Sequence, residues 1–232
     1  MSEKPASGGW RARRRAATTD VIIDAALSLT AREGLHALTM HRIAADVGCV
    51  VSALYRYFEN KDALFLAMQA RVLKGLSADL AEAALAVVTD DPLTRLVAVL
   101  IAYRELPRRR PADFALLHRW LGDPSFAVDT TAARAQWQVL LGHFAPIIGL
   151  LETCVAAGRL APGDAHARLY VLWGALQGAL QLNRFDRLEE PGLQSHDNAT
   201  LTLRALLVGF GATSTAVDDA FARVDTTPPP PP

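Results

Sequence analysis

Apolar positions recur along this chain every three to four residues, almost from end to end. Within 20–32, Ile22, Ile23, Ala26, Leu27 and Leu29 fall at helical spacing, and Gly34 stands where that helix should close. Thr39 is a good N-cap for a helix over 40–47, Gly48 marks a tight turn, and a short helix is predicted over 51–57. Asn60 caps a longer helix predicted over 61–88. Asp91 and Pro92 read as cap and first helical residue of the next one, which should stop near Pro107. Further helices are expected over 111–121, 129–157, 165–185, 199–210 and 215–223. Pro146 lies inside the 129–157 stretch and should kink or split it. No run alternates apolar and polar residues between turn signals as a strand would. The expectation is an all-α chain of about ten helices.

The two ends break this pattern. Residues 1–15 are polar, then carry Trp10 and the cluster Arg11, Arg13, Arg14 and Arg15, and are expected to form a disordered basic arm. Residues 225–232 close in five consecutive prolines, a run that favours polyproline II and reads as a solvated tail or a proline-recognition motif. Between them, 16–62 is expected as a small head and 63–224 as a larger body. With 232 residues, 51% of them hydrophobic, the chain is long enough to bury a substantial core.

Charge sharpens the division. Lys plus Arg and Asp plus Glu both number 24, which excludes a polycationic nucleic-acid coat. The balance is uneven, however: residues 1–61 hold nine basic side chains against six acidic ones, so the remainder is acidic by the same margin. Cys49 and Cys154 are the only cysteines and form no CxxC pair, which fits a reducing cytosol. No apolar run follows the basic stretch as in a signal peptide. The most apolar stretches, such as 170–182, are too short or interrupted to span a bilayer. A cytoplasmic protein without membrane association is expected.

The densest information lies in 39–58. Ile43 and Val47 are one turn apart, Ala44 is small where two helices must approach, and Gly48 occupies the turn. Leu54 and Tyr57 fall on the inward face of the second helix, with Ser52, Ala53, Tyr55 and Arg56 outward. This is the spacing of a helix-turn-helix, whose second helix can enter a major groove. An ordinary helical hairpin would share the pattern.

The residues that follow are more specific. Leu54-Tyr55-Arg56-Tyr57-Phe58-Glu59-Asn60-Lys61-Asp62-Ala63-Leu64, after Thr39 and Ile43-Ala44-Ala45-Asp46-Val47-Gly48-Cys49-Val50, closely resembles the TetR family of bacterial transcriptional regulators. The resemblance covers about 18–68 and includes Gly34 and Leu38. It implies a three-helix DNA-binding head and a divergent helical body for ligand binding and dimerisation. Carried over by position, it implies that Thr39 caps its helix and donates to a phosphate, with Arg42 near the backbone or a base edge. Val51, Ser52 and Ala53 would face the groove. Tyr55, Arg56 and Tyr57 match positions that often meet phosphates, with core packing the alternative for Tyr57 and the expectation for Phe58. Lys61 would add its charge to a helix N-terminus. Val50 departs from the family's usual Ser or Thr cap, at a cost of about 1 kcal/mol to the helix.

The arginine cluster could be a solvated tail or could reach the adjacent minor groove. In the body, Gly174, Ala175, Gly178 and Ala179 among Leu172, Leu176 and Leu180, and the stripe Leu203, Leu206, Leu207 and Phe210, are expected to form a homodimer seam through the helices around 165–185 and 199–210. Trp173 to Gly178 faintly resembles a tryptophan–histidine–glycine signature of one family subgroup, with Gln177 in the histidine's place. Candidate effector-lining residues are Tyr103, Phe114, His118, Trp120, Trp137, His143, Phe144 and Trp173. The histidines are scattered and no metal-ligand spacing appears, so no metal or cofactor is expected and the effector should be mostly apolar. The resulting expectation is a ligand-released transcriptional regulator, a repressor by default, that binds a palindromic double-stranded DNA operator. An α-helical enzyme and a ligand-independent architectural DNA binder are the competing classes. Nothing in the sequence brings a nucleophile or phosphate loop to Asp113, His118 or His143, so no catalytic role is expected.

Overall fold

Helix follows helix, as the apolar spacing predicts. The computed structural model describes residues 7–122, 130–188, 190, 192 and 194–225, and their side chains except 7–12, 119–122, 130–141 and 184. Eleven α-helices occur among them: α1 (Ser7–Glu33), α2 (Met40–Val47), α3 (Val51–Leu54), α4 (Lys61–Ala86), α5 (Pro92–Arg104), α6 (Leu106–Arg109), α7 (Pro111–Gly122), α8 (Thr130–Ala156), α9 (Ala165–Gln181), α10 (Ser195–Gly209) and α11 (Ser214–Asp225). A 3₁₀ turn at Leu35–Ala37 leads into α2, and another at Leu182–Leu188 follows α9. No strand occurs among the described residues.

Two compact units result. The first runs to Val72 and adds Pro111–Leu117; the second takes Leu73–Arg110 and the chain from His118 onward. The division falls inside α4, beyond the expected junction at 62–63. The reason is packing: Leu64, Phe65 and Met68 on the first turns of α4 are buried, and Arg71 pairs with Asp20 and Asp24 of α1. Ile22, Ala26 and Leu29 of α1, Ile43 and Ala44 of α2, and Leu54 of α3 complete the buried set of the first unit.

The expected basic arm is corrected from residue 7 onward. α1 begins at Ser7 and carries Arg13, Arg14 and Arg15 in unbroken helix. Residues 11–17 are all Arg and Ala, both strong helix formers, and extending an existing helix avoids the cost of a new nucleus. Residues 1–6 and 226–232, the rest of the expected arm and tail, lie outside the described residues.

In the second unit α5 is central, packing on α8, α10 and α11, while α9 packs on α8 and α10. Its burial is nearly all round, from Leu93 through Leu96, Val97 and Leu100 to Tyr103, as a helix surrounded by others requires. α8 is neither split nor ended at Pro146. Pro146 and Gly142 are both exposed, so water can serve the carbonyl that the proline leaves unbonded. α10 starts at Ser195, ahead of the expected 199, because the Asp186 carboxylate accepts from both the Ser195 N–H (2.7 Å) and its hydroxyl (2.7 Å).

The expected dimer stripes are also corrected. Leu172, Leu176 and Leu180 of α9 and Leu203 and Leu207 of α10 are buried within their own chain. The outward side of these helices instead carries Tyr170, Val171, Gly174, Gly178, Leu201, Ala205 and Val208. Helical periodicity found the apolar positions but not which neighbour covers them.

The start of α5 yields a stability prediction. The Asp91 carboxylate accepts from the Thr94 N–H (3.1 Å) and hydroxyl (2.7 Å) and pairs with Arg159 at 2.8 Å. Partial burial alone would push its pKa up, but the Thr94 hydrogen bonds and Arg159 pull it below the ordinary value. A carboxylate lowered in this way contributes stability above its unfolded pKa and loses it as pH falls through the folded value. Asp91→Ala should therefore cost about 1 kcal/mol in urea unfolding at pH 7. The difference from the parent chain should shrink once pH drops below the ordinary carboxylate range.

Candidate nucleic-acid interface

Local backbone chemistry sets the angle between α2 and α3. Thr39 is extended and its Oγ1 accepts from the Arg42 N–H at 3.3 Å, capping α2 as expected. At the other end Gly48 is left-handed, with φ 73° and ψ 36°. The Gly48 N–H donates to the Ala45 carbonyl (3.2 Å) and the Cys49 N–H to the Ala44 carbonyl (2.9 Å), closing the final turn. Val50 then begins α3 with no side-chain cap and is 69% exposed.

α3 is shorter than the expected 51–57. Regular α-helix ends at Leu54, and the Tyr57 and Phe58 N–H groups both donate to the Leu54 carbonyl, at 2.8 and 3.0 Å. Leu54 and Phe58 are buried, so the chain tightens over 55–57 to return Phe58 to the core. Phe58 is thus a core residue, as expected.

The candidate DNA-contacting residues separate by exposure. Thr39, Arg42, Ser52, Tyr55, Arg56 and Lys61 are exposed, whereas Val51, Ala53 and Tyr57 are half-buried. Asn60 accepts from the Ala63 N–H at 2.8 Å and so places Lys61 as the first residue of α4. Tyr57, expected at a phosphate or in the core, is half-buried, with the Arg15 guanidinium 5.7 Å from its ring centroid. Arg15 also donates to the Arg56 carbonyl at 3.0 Å.

Arg42, expected near the DNA backbone or a base edge, is exposed and already has a partner. Its guanidinium is held in a two-pronged pair by Glu33, with both contacts at 2.6 Å. That hydrogen bonding, followed by the Glu33 charge, raises its pKa further. A phosphate reaching Arg42 must share or displace Glu33. Arg32 pairs similarly with Asp46 at 2.8 Å. These partners lie nine and fourteen residues apart in the chain, beyond the reach of a helical i, i+4 rule.

In the second unit the structure brings together three of the candidate effector residues. Trp173 Nε1 donates to the Tyr103 hydroxyl at 2.9 Å, and that hydroxyl donates to Gln177 Oε1 at 2.9 Å. Burial pushes the Tyr103 phenol well above its usual pKa, against the lowering effect of Trp173, so it remains a donor. Phe144 packs on Trp173 with ring centroids 5.4 Å apart. His143, the residue before it on α8, has Nδ1 2.8 Å from Ser77 Oγ on α4. The Ser77 hydroxyl already donates to the Leu73 carbonyl (2.9 Å), so the Nδ1 proton points from His143 to Ser77. Sequence reading did not single out Ser77, and no local signal marks it.

The remaining candidates fall elsewhere. Phe114 is buried but belongs to the first unit's part of α7, and His118 is half-buried on the same helix. The side chains of Trp120 and Trp137 lie outside the described residues. An open surface groove of about 690 Å³ occurs between the end of α4, the start of α5 and α8, lined by Ala81, Leu85, Val88, Arg95, Pro146 and Leu150 among others. None of the eight candidates lines it. Cys154 is buried, and burial together with Asp91 pushes its thiol up to about 12, so it stays protonated. Among the described residues, no three His, Cys, Asp or Glu side chains could hold a metal ion. No described helix is long and apolar enough to cross a membrane.

Comparison with known proteins agrees with the head's geometry. Residues 22–68 match the family model of the bacterial regulatory proteins of the tetR family. No curated protein sequence matches the chain. Solved structures share its fold over most of their length. SmeT, the repressor of the Stenotrophomonas maltophilia multidrug efflux pump SmeDEF, is 22% identical with a TM-score of 0.65, covering 94% of this chain and 99% of its own. A protein of unknown function from Rhodococcus sp. RHA1 is 19% identical with a TM-score of 0.67, covering 83% and 94%. The transcriptional regulator FadR from Bacillus subtilis, in complex with stearoyl-CoA, is 17% identical with a TM-score of 0.62, covering 82% and 97%.

The uncapped start of α3 can be repaired by one substitution. Val50 already has cap geometry, with φ −81° and ψ 147°, and lacks only an acceptor. Val50→Ser should raise the unfolding free energy by about 1 kcal/mol, read by urea denaturation. No gain would mean that the backbone amides of α3 are already served by solvent.

Proposed function

We propose that this chain, a transcription regulator carrying the tetR-family DNA-binding head at residues 22–68, binds a palindromic duplex operator as a homodimer. Repression is the default output, and a small, mostly apolar effector releases the DNA. The observation that carries the reading is the head itself: a capped α2, a left-handed turn at Gly48, and a short α3 followed by a turn, with Ser52, Tyr55 and Arg56 exposed. An element of this kind reads base edges from the major groove, while Thr39 and Lys61 suit flanking phosphates.

A single head of this size reads few base pairs, and two-fold pairing adds a second half-site roughly 34–36 Å away. The outward faces of α9 and α10 support such pairing. Leu201 is 65% exposed, and Tyr170, Val171 and Val208 on the same two helices are also exposed. Gly174 and Gly178 have open space where a Cβ would stand, so a partner helix can approach closely there. The corrected dimer surface is therefore this outward set rather than the leucine stripes.

The effector reading rests on the buried aromatic and hydrogen-bonded group of Tyr103, Trp173, Gln177 and Phe144. The stearoyl-CoA held by the Bacillus subtilis FadR structure supports an apolar ligand class for this body fold. The efflux-pump repressor SmeT supports repression as the output. Release would proceed from the aromatic group through Phe144 and His143 to Ser77 on α4, the helix whose first residue is Lys61. A tenfold loss of DNA affinity needs about 1.4 kcal/mol of preference by the effector for the released state.

Selection of bound duplexes from a random pool, followed by competition with long-chain acyl and aromatic compounds, tests the whole reading. A palindromic consensus should emerge. Lys61→Ala should weaken binding and make its salt dependence shallower by about one unit per protomer, and Tyr55→Ala should also weaken it, both without disturbing the dimer. Full affinity in both variants would refute the assignment of the head. Leu201→Glu should yield a folded monomer in sedimentation velocity, with operator affinity lost alongside; a persistent dimer would remove α10 from the interface.

A further inference from the structure

Gln177 is buried on α9 with only half of its carboxamide in use. The residue is 6% exposed, and its Oε1 accepts from the Tyr103 hydroxyl at 2.9 Å. Its Nε2 is enclosed by the protein and has no hydrogen-bond partner. The network fixes which end of the amide is idle. The Tyr103 hydroxyl accepts from Trp173 Nε1 at 2.9 Å, and burial keeps its phenol proton in place, so that proton needs an acceptor. Turning the amide over would set N–H groups against this hydroxyl and leave the phenol proton unpaired. Two N–H donors are therefore left over. Buried donors without partners are rare, because nothing offsets their lost hydration.

The surroundings define the acceptor that would complete the network. Phe144 and Trp173 bring tilted rings within 5.4 Å of each other, and Tyr170 meets Trp173 edge-on at 6.4 Å. A single buried water needs roughly two to four polar partners. Among the described side chains of this group, the Gln177 amide is the one with donors to spare. Arg104 and His143, next in sequence to Tyr103 and Phe144, are committed elsewhere. Arg104 pairs with Glu105 at 3.0 Å and donates to Thr200 at 2.7 Å, and His143 turns to Ser77. A carboxylate placed here would lose its hydration with only neutral donors in return, whereas an uncharged oxygen would gain its hydrogen bond at little cost.

We propose that Gln177 is the polar anchor of the effector site, donating from Nε2 to an uncharged carbonyl oxygen on a flat, mostly apolar ligand such as an aromatic ketone or ester. On the effector reading above, on which this assignment rests, apolar surface supplies the affinity and the amide selects. A ligand without the oxygen leaves the donors unpaired, so one polar group in such a site discriminates more than it attracts. Tyr103 holds the amide oxygen and Trp173 holds Tyr103, so the donor is aimed before a ligand arrives.

Calorimetric titration of the full-length chain with acetophenone, ethylbenzene and benzoate, and with their naphthyl counterparts, tests the assignment. Within each set the molecules are close in size and differ in the group offered to Gln177. The ketone should bind about tenfold more tightly than the hydrocarbon, and the carboxylate more weakly than either. Gln177→Met keeps the length of the side chain and a weak acceptor for Tyr103. It should bring the ketone down to the affinity of the hydrocarbon and leave the hydrocarbon unchanged. Gln177→Leu should behave in the same way, with thermal unfolding reporting that each variant is folded. Equal affinity of the parent chain for ketone and hydrocarbon would overturn the anchor and leave an apolar effector in place, the amide then being served by water. A ketone preference that survives both substitutions would overturn the choice of Gln177. Binding of none of these compounds would overturn the effector reading and the anchor together.

Discussion

One left-handed residue governs what the head can present. Gly48 turns the chain between α2 and α3 at φ 73°, and open space surrounds the position where a Cβ would stand. Glycine is required there by backbone conformation rather than by crowding, since the left-handed region costs other residues roughly 1–2 kcal/mol. With that turn in place, Leu54, Ile43 and Ala44 are all buried, and Ser52, Tyr55 and Arg56 are exposed. Thr39 fixes the other end of α2, so both the start and the close of that helix are set by local chemistry.

Charge is arranged by pairing more than by composition. The chain is neutral in sum, yet the ion pairs of the first unit are distributed unevenly. Arg71, Arg42 and Arg32 engage Asp20, Asp24, Glu33 and Asp46. Exposed pairs of this kind contribute little stability. Their consequence is geometric: they tie α1 to α2 and to the start of α4.

Legibility in the sequence followed the range of each interaction. Thr39, Gly48, Asn60 and Asp91 act on residues within a few positions, so their caps and turns are legible in the sequence itself. The early start of α10 was not, because Asp186 reaches it from nine residues upstream. The fork between Arg42 and Glu33 crosses from α1 to α2 and leaves no periodic trace. The apolar stripes of α9 and α10 were visible as stripes, but burial of Leu203 and Leu207 depends on which neighbouring helix covers them. The arginines before residue 16 combine strong helix propensity with the composition of a solvated tail, and only the contact from Arg15 to Arg56 decides between the two. Among the effector candidates, aromatic identity found Tyr103, Phe144 and Trp173, whereas Gln177 and Ser77 emerge only from hydrogen bonds across helices.

α4 has a mechanical property that follows from its length. Its 26 residues make a rod of about 39 Å, with the bond from Ser77 to His143 some 24 Å from Lys61. A tilt of roughly 8° pivoting at Ser77 would sweep Lys61 through about 3.4 Å, the rise of one base pair. Displacements of a few tenths of an ångström near the pivot, the scale of a side chain adjusting to a bound molecule, would thus be magnified along the rod. An unbroken helix of this length has the geometry of a lever, in which a small tilt at one point becomes a displacement of several ångströms at the far end.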